Sequence, residues 1–532
     1  MNRPGPLRAA MRTRAGKVLA IIVVAVFCFG VILLILAHHA GPLLRARVIQ
    51  TLSTRFRTKV ELAALNISFY QGLTVSGKDL LIYGKSDPNI HAPGVQPLIT
   101  VDEFRFRLGA LALLRSPIHV GTVFLKGMRL NVPPKRQDEN DSDNFSAGKI
   151  SIIVDRFHAE TALLIINTDT PDKQPLNFVI KNLWMQDVGV GQPMKFTAKL
   201  INPKPEGYID SHGEFGPFDS DEPRDTPVRG DYTFTNADLS TIAGIGGILS
   251  STGTYDGTLG HLAVDGQTNT PDFRLQVSGS PVPLKTKFHA IVDGTNGNTY
   301  LEPVEANILN TSIMAKGFVV RSALPHGHHV HLNVTISDGN IQDLLQLAVR
   351  TKPPVMSGRL QLKMKLDIPA GTEDVMQRLK LKGGFRVQQA HFSNQKIQSR
   401  VDALSMRSQG KPKLATDNIP DNIKSEMSGN FRLKNSVFTS RNLLFQMPGT
   451  KVKLAGNFSL DGNEFNFAGR ARFHARLSQM VGGWKSVFLK PVDPFFAKNG
   501  AGTVLPIRIT GTKSEPHLGL NFGGKGPLAD TK

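Results

Sequence analysis

Four histidines crowd into the stretch Pro325-His326-Gly327-His328-His329-Val330-His331. Imidazole nitrogens suit zinc or copper, and His329 and His331, two apart in an extended segment, fall on one strand face. The same residues also describe a solvated hairpin loop followed by outward-facing strand positions, because no carboxylate or cysteine stands close by in sequence. That second reading is preferred and no cofactor is expected; His326, His328, His329 and His331 stand as the metal candidates to be tested. Gly244-Ile245-Gly246-Gly247 resembles a phosphate loop but lacks its lysine and its preceding strand, and reads as a helix terminus or hinge. Asp219, Asp221 and Glu222 lack the spacing of an EF-hand and read as a solvated loop. There is no GxSxG, HExxH or Walker signature. The only cysteine, Cys28, leaves no thiol chemistry for the rest of the chain. No catalytic residue is assigned, and the chain is not expected to be an enzyme.

The elements that carry these residues are strands. Phe104, Phe106 and Leu108 alternate with Arg105 and Arg107; Val330, Leu332, Val334 and Ile336 with His331, Asn333 and Thr335. Leu360, Leu362, Met364, Leu366 and Ile368 alternate with Gln361, Lys363, Lys365 and Asp367, and Ile507 and Ile509 flank Arg508. A period of two gives each strand one apolar and one solvated face. Turn signals bound many of these runs: Ser337–Asn340, Asp293–Asn298 and Leu460–Asn463. The few helical patterns are Leu239–Leu249, Ile341–Ala348 and Leu477–Leu489, while Pro133–Gly148 and Phe218–Pro223 read as loops.

The N-terminus is different. Val18–Ala37 is an uncharged apolar run of the length a bilayer-crossing helix needs, about 20 residues. Before it stand Arg3, Arg8, Arg12, Arg14 and Lys17 with no acid, which places that end in the cytoplasm. The run exceeds the apolar core usual in a cleaved signal peptide, and His38-His39-Ala40 makes a poor cleavage site, so an uncleaved anchor is the preferred reading. Leu44, Val48, Leu52 and Phe56 then mark a short amphipathic helix, lying at the membrane interface or capping an open sheet edge.

Of the net charge of +20 in 532 residues, half lies in the first sixty, which hold ten bases and no acid. The remainder is too dilute for a nucleic-acid footprint and no nucleic-acid partner is expected. The basic flanks of the apolar run suit anionic head groups. What covers so much apolar strand surface is left open by periodicity: a second sheet in a sandwich, or a ligand in a trough.

The order of these features resembles the AsmA-like family of membrane-anchored envelope proteins. The N-terminal likeness rests on Gln71-Gly72-Leu73-Thr74-Val75, Leu111-Ala112-Leu113-Leu114-Arg115, Ile118, Val123, Leu125, Gly127, Leu130 and Val132. The C-terminal likeness rests on Gly502, Val504, Pro506-Ile507-Arg508-Ile509-Thr510-Gly511-Thr512, Ser514 and Pro516. The resemblance implies an elongated, twisted antiparallel β-sheet folded into an apolar groove, reaching from the inner membrane into the periplasm and moving phospholipid toward the outer membrane. It offers no catalytic residue.

The expected organisation is a cytoplasmic tail (1–17), a transmembrane helix (18–37), an amphipathic helix (40–59) and β regions over 60–132, 149–350 and 351–532. The expected function is phospholipid transfer from a single-pass inner-membrane anchor, with an outer-membrane or periplasmic adaptor as a further partner. Its groove floor would be Phe104, Phe106, Val330, Leu332, Val334, Ile336, Leu360, Leu362, Met364, Leu366, Ile507 and Ile509. Two other classes compete: an outer-membrane protein assembly factor working through sheet-edge pairing, and an envelope-glycan enzyme with paired carboxylates. In an open groove, Asp at Leu332 or at Leu362 is expected to block lipid without unfolding the sheet.

Overall fold

The computed structural model describes residues 45–46, 49–50 and 53 and, from 59 to 521, all except 69–72, 84–96, 109–117, 133–151, 167–175, 190, 218–222, 278–279, 323–326, 418–422, 461–462, 482, 484, 498–501 and 513–514. The basic tail, the apolar run Val18–Ala37, most of 40–59, the loop acids Asp219, Asp221 and Glu222, and His326 lie outside the described residues, as do Gln71, Gly72 and Leu111–Arg115 of the N-terminal motif. Among the described residues no helix is long and apolar enough to cross a membrane.

The described chain is mostly β, with 24 strands in one long mixed sheet and a few short helices. The sheet is not closed into a barrel: its terminal strands, Val60–Ser68 and Pro516–Leu520, each pair with one neighbour. The chain divides into two compact units, Met1–Ile201 with His212–Phe218, and Asn202–Ser211 with Asp219–Lys532.

In the first unit β1 (Val60–Ser68), β2 (Leu73–Ile82), β3 (Ile99–Leu108) and β4 (Ile118–Val132) form an antiparallel meander. β5 (Ile152–Ile166) then runs parallel to β4, and β6 (Leu176–Val188) and β7 (Met194–Pro203) return antiparallel. An all-antiparallel sheet is therefore incorrect. The long connection 133–151 is what lets the chain return to the starting end of β4, as a parallel neighbour requires.

Strict alternation also fails in this unit, at one line across the strands. The inward positions run 75, 77, then 80, 82 in β2; 106, 104, then 101 in β3; 123, 125, then 128, 130 in β4; 157, 159, then 162, 164 in β5. At each switch two successive residues do the work of one, and Asp79, Gly127 and Thr161 there take left-handed φ of 52°, 66° and 57°. Facing strands switch at facing positions, so the ladder keeps its register and the apolar set stays on one face. Opposite charges face one another along the same line, Lys78↔Glu103↔Lys126↔Glu160, with Lys78 Nζ 3.1 Å from Glu103.

In the second unit β8 (Glu206–Phe215) contributes its residues up to Ser211. β9 (Pro227–Asp238) pairs with β11 (Ile248–Thr258), while β10 (Ile245–Gly246) makes a two-residue pairing with β12 (His261–Leu275). From β11 onward each strand pairs antiparallel with its successor: β12, β13 (Val282–Val292), β14 (Thr299–Ile308), β15 (Thr311–Ser322), β16 (Gly327–Asn340) and β17 (Met356–Ile368). The series continues through β18 (Lys380–Phe392), β19 (Ser425–Lys434), β20 (Val437–Met447), β21 (Thr450–Ser459), β22 (Glu464–Phe473), β23 (Thr503–Thr512) and β24 (Pro516–Leu520).

Asp293–Asn298 makes the expected turn, with the Asp293 carboxylate accepting from Thr295 and Asn296. Ser337–Asn340 does not: it ends β16 at an irregularity in register and leads into helix α1 (Ile341–Ala348), which falls where the pattern places it. Leu239–Leu249 is not a helix. One 3-10 turn, Leu239–Thr241, capped by Asp238, gives way to β10 and β11. Leu477–Leu489 breaks into Leu477–Met480 and Lys485–Leu489. Helix α2 (Gln395–Ser408) was not foreseen.

Candidate functional site

The floor expected between β16 and β17 is assembled by register. Val330 faces Ile368, Leu332 faces Leu366, Val334 faces Met364, Ile336 faces Leu362 and Gly339 faces Leu360. Partners in an antiparallel pair project to the same side, so these apolar residues share one face, while His331↔Asp367, Asn333↔Lys365 and Thr335↔Lys363 share the other.

Coverage of that face is uneven. Ile336 (2 % exposed), Leu360 (2 %) and Leu362 (9 %) are buried with Val387 and Ala390, and Ile341, Leu344 and Leu345 of α1 pack on them. α1 is seated by Asp343, itself buried, whose Oδ2 accepts from Asn310 N at 3.1 Å and from the fully buried Thr311 hydroxyl at 2.8 Å. Toward the other end Val330, Leu332, Val334, Met364 and Leu366 are only half-buried. The expectation that Asp at Leu362 would leave the sheet folded is therefore corrected, because α1 makes Leu362 a core residue. Leu332 keeps the open environment that expectation requires.

The apolar face continues across the later strands. Leu381, Phe385 and Val387 stand opposite Leu366, Leu362 and Leu360, and Phe385–Phe431–Phe438 follow with ring centroids 6.2 and 5.7 Å apart. Ile509 faces Phe467 and Ile507 faces Gly469 on β22, so both fall on the face that carries Phe465 and Phe458, whose rings stack at 4.6 Å. In the first unit Phe104 and Phe106 share a face, their rings stacked 6.2 Å apart, and both are half-buried. Phe104 lies over Gly77, where a Cβ would overlap its ring.

Toward β9–β13 the same face of the second unit becomes hydroxylated, a feature periodicity did not flag because Ser, Thr and Tyr read as polar. Tyr232 OH meets Ser251 Oγ at 3.0 Å, Ser211 Oγ meets Tyr255 OH at 2.7 Å and Thr268 meets Thr286 at 2.7 Å. Burial pushes both tyrosine hydroxyls up from their ordinary titration range, so they stay neutral and satisfy their neighbours rather than presenting charge.

His329 and His331 lie on the polar face. His329 Nε2 is 2.7 Å and His331 Nδ1 3.4 Å from Asp367 Oδ1, and the His331 ring stacks on Phe318 at 5.5 Å. His328 is exposed. Among the described residues no group of three or more His, Cys, Asp or Glu is arranged to hold a metal ion. Burial acts to raise the Asp367 carboxyl, but the hydrogen bonds with His329 and His331 and the charges of His329 and Lys380 outweigh it and hold it below its usual value. A depressed carboxylate stabilises the fold above its unfolded value, about 3.9, and loses that contribution as pH falls through its folded value. Asp367→Asn is thus expected to lower the melting temperature at neutral pH, and the gap from wild type to close as the pH is taken below about 4. A gap independent of pH in differential scanning calorimetry would contradict this coupling.

A hollow of about 1010 Å³ is lined by polar side chains such as Gln361, Lys363, Arg386 and Lys453 together with Ile336, Leu362 and Phe385, with no carboxylate in its lining. It is not the paired-carboxylate cleft that glycan cleavage needs. Gly244 lies beside Val375, and Gly244–Gly247 leads into strands, not into the helix that a phosphate loop requires. Compared with known protein families, curated proteins and solved structures, the chain matches none.

Proposed function

We propose that this chain is a non-enzymatic lipid-transfer protein whose apolar sheet face holds phospholipid acyl chains while the head groups stay in water. The observation that carries this reading is the half-buried state of Val330, Leu332, Val334, Met364 and Leu366, beside Ile336, Leu360 and Leu362 of the same face, which are buried in the cluster on which α1 packs. Apolar surface left partly in water over many strands is costly unless something else occupies it. An acyl chain gains about 0.8 kcal/mol per buried CH₂, and neighbouring strands on the apolar side of the hydroxylated β9–β13 stretch offer it similar surface, so movement from one to the next crosses no deep well.

In this reading the apolar run Val18–Ala37 anchors the chain in the inner membrane with its N-terminus cytoplasmic and its β region in the periplasm, as in the AsmA-like proteins it resembles. The elongated, twisted groove belongs to the same proposal, as does an outer-membrane or periplasmic adaptor. Sheet-edge pairing in outer-membrane protein assembly is the second reading, favoured by the edge strand β24, which among the described residues pairs with β23 alone. Transfer of labelled phospholipid between vesicles tests the choice: the full chain is expected to accelerate it and the Leu332→Asp chain is not. Equal rates for the two would overturn the acyl-chain reading.

A further inference from the structure

We infer that the described residues of the helical segments 393–417 and 474–497 form a cap that docks on an anionic phospholipid bilayer. Both leave the sheet at one end. β18 ends and β19 begins there at Phe392 and Ser425, Met447 faces Thr450, and Thr450 faces Phe473, which in turn faces Thr503. The segments are fastened to each other and to that end. Ala475 N donates to Ser408 O at 2.9 Å, Ser405 Oγ to Pro448 O at 2.8 Å and Thr450 Oγ1 to Ser408 Oγ at 2.8 Å. Leu404 packs on the buried cluster of Ala471, Phe473, Ala475 and Met480.

Their outer surface combines features that water alone does not favour. Phe488 and Phe495 are each 71 % exposed, Val487 is 62 % exposed, and Ile397 and Leu414 are nearly half exposed. Among them stand the exposed bases Lys396, Arg400, Arg407, Lys411, Lys413, Arg476, Lys485 and Lys490. The two acids of these segments whose side chains are described, Asp402 and Asp493, are buried. Asp402 accepts from Gln398 at 2.8 Å and Asp493 from Ser478 N at 2.9 Å. Among the described side chains of these segments the carboxylates are thus spent inside and the exposed charges are cationic.

On the neighbouring strands the polar face sets Lys451 against Arg472, a like-charge pair that costs stability in water and is relieved by an opposing anion. Exposed phenylalanines among bases match the interface of an anionic bilayer, with rings below the head groups and ammonium groups on the phosphates. An acidic protein would satisfy the bases but has no comparable use for two largely exposed phenyl rings.

The inference deepens the lipid-groove reading and rests on it for its purpose, bringing the apolar face to a second membrane. The test holds the full chain in phosphatidylcholine nanodiscs and floats them with vesicles of phosphatidylethanolamine and phosphatidylglycerol, or of phosphatidylcholine alone. Wild type is expected to float with the anionic vesicles only. Phe488→Ser with Phe495→Ser, and separately Lys485→Gln with Lys490→Gln, are each expected to lower the bound fraction about tenfold. Both pairs change exposed side chains, and an unchanged melting temperature verifies the fold. No flotation by wild type, flotation unchanged by both pairs, or capture of acidic proteins without vesicles would overturn the docking surface. Photo-crosslinking of lipid from position 332, read in the same samples, separates the two claims. Its loss with flotation intact removes the groove reading and leaves the docking surface standing.

Discussion

Leu360→Asp is expected to abolish the fold of the β16–β18 region, whereas Leu332→Asp is expected to leave it folded and empty it of lipid. The two leucines share one apolar face and differ in cover. Leu360 is 2 % exposed beneath α1 among Ile336, Val387 and Leu345. A carboxylate there loses its hydration with no hydrogen-bonding partner offered, a cost on the order of 4 kcal/mol or more even when it is partly relieved by protonation. Leu332 is half-buried and paired with Leu366 at the open end of the face, where water reaches the new carboxylate. The cost there is about 1–2 kcal/mol, mainly lost apolar contact. Circular dichroism melts distinguish the two, and lipid transfer is then read on the folded variant. Unfolding by Leu332→Asp as severe as by Leu360→Asp would mean a closed core along the whole face.

The second large effect concerns the cover itself. Asp343→Ala removes the acceptor that Thr311 and Asn310 use, leaving the fully buried Thr311 hydroxyl with only Asn340, to whose carbonyl it donates at 3.4 Å and from whose N–H it accepts at 2.9 Å. The expected loss is about 2–4 kcal/mol, with α1 the first element to release. Asp343→Asn keeps one carbonyl oxygen and is expected to lose about 1 kcal/mol. Hydrogen exchange over 341–348 checks this: the Ala variant should exchange much faster there while β20–β23 remain protected. Because α1 covers Ile336, Leu360 and Leu362, its release also lengthens the open face, and the Ala variant is expected to hold more lipid per folded chain.

These residues explain what the sequence made legible. β16 and β17 were readable because over 330–336 and 360–368 one face is apolar and the other polar, and α1 because Ile341, Leu344, Leu345 and Ala348 follow a helical spacing after Asp338-Gly339. α2 escaped because its buried positions are Gln398, Asp402, Ser405 and Ser408, which carry no hydrophobic periodicity and are held by hydrogen bonds instead. Leu239–Leu249 misled because three glycines let the chain turn from a 3-10 turn into β11 where the apolar spacing alone suits a helix. The switches of inward position at Asp79, Gly127 and Thr161 have a signal, two successive polar or small residues inside an alternating run, which a strict period of two reads as noise. Cover could not be read at all. Leu360 and Leu332 look alike in sequence, and only the placement of α1 separates core from open face.

The most direct test of the open apolar face is site-specific photo-crosslinking in the full chain within its native membranes. A benzophenone side chain is placed at Leu332 in one chain and at Lys365, on the polar face one row away, in another. The account predicts a phospholipid adduct from position 332 and none from position 365. Protein-only adducts at 332, or equal lipid labelling at both positions, would contradict it.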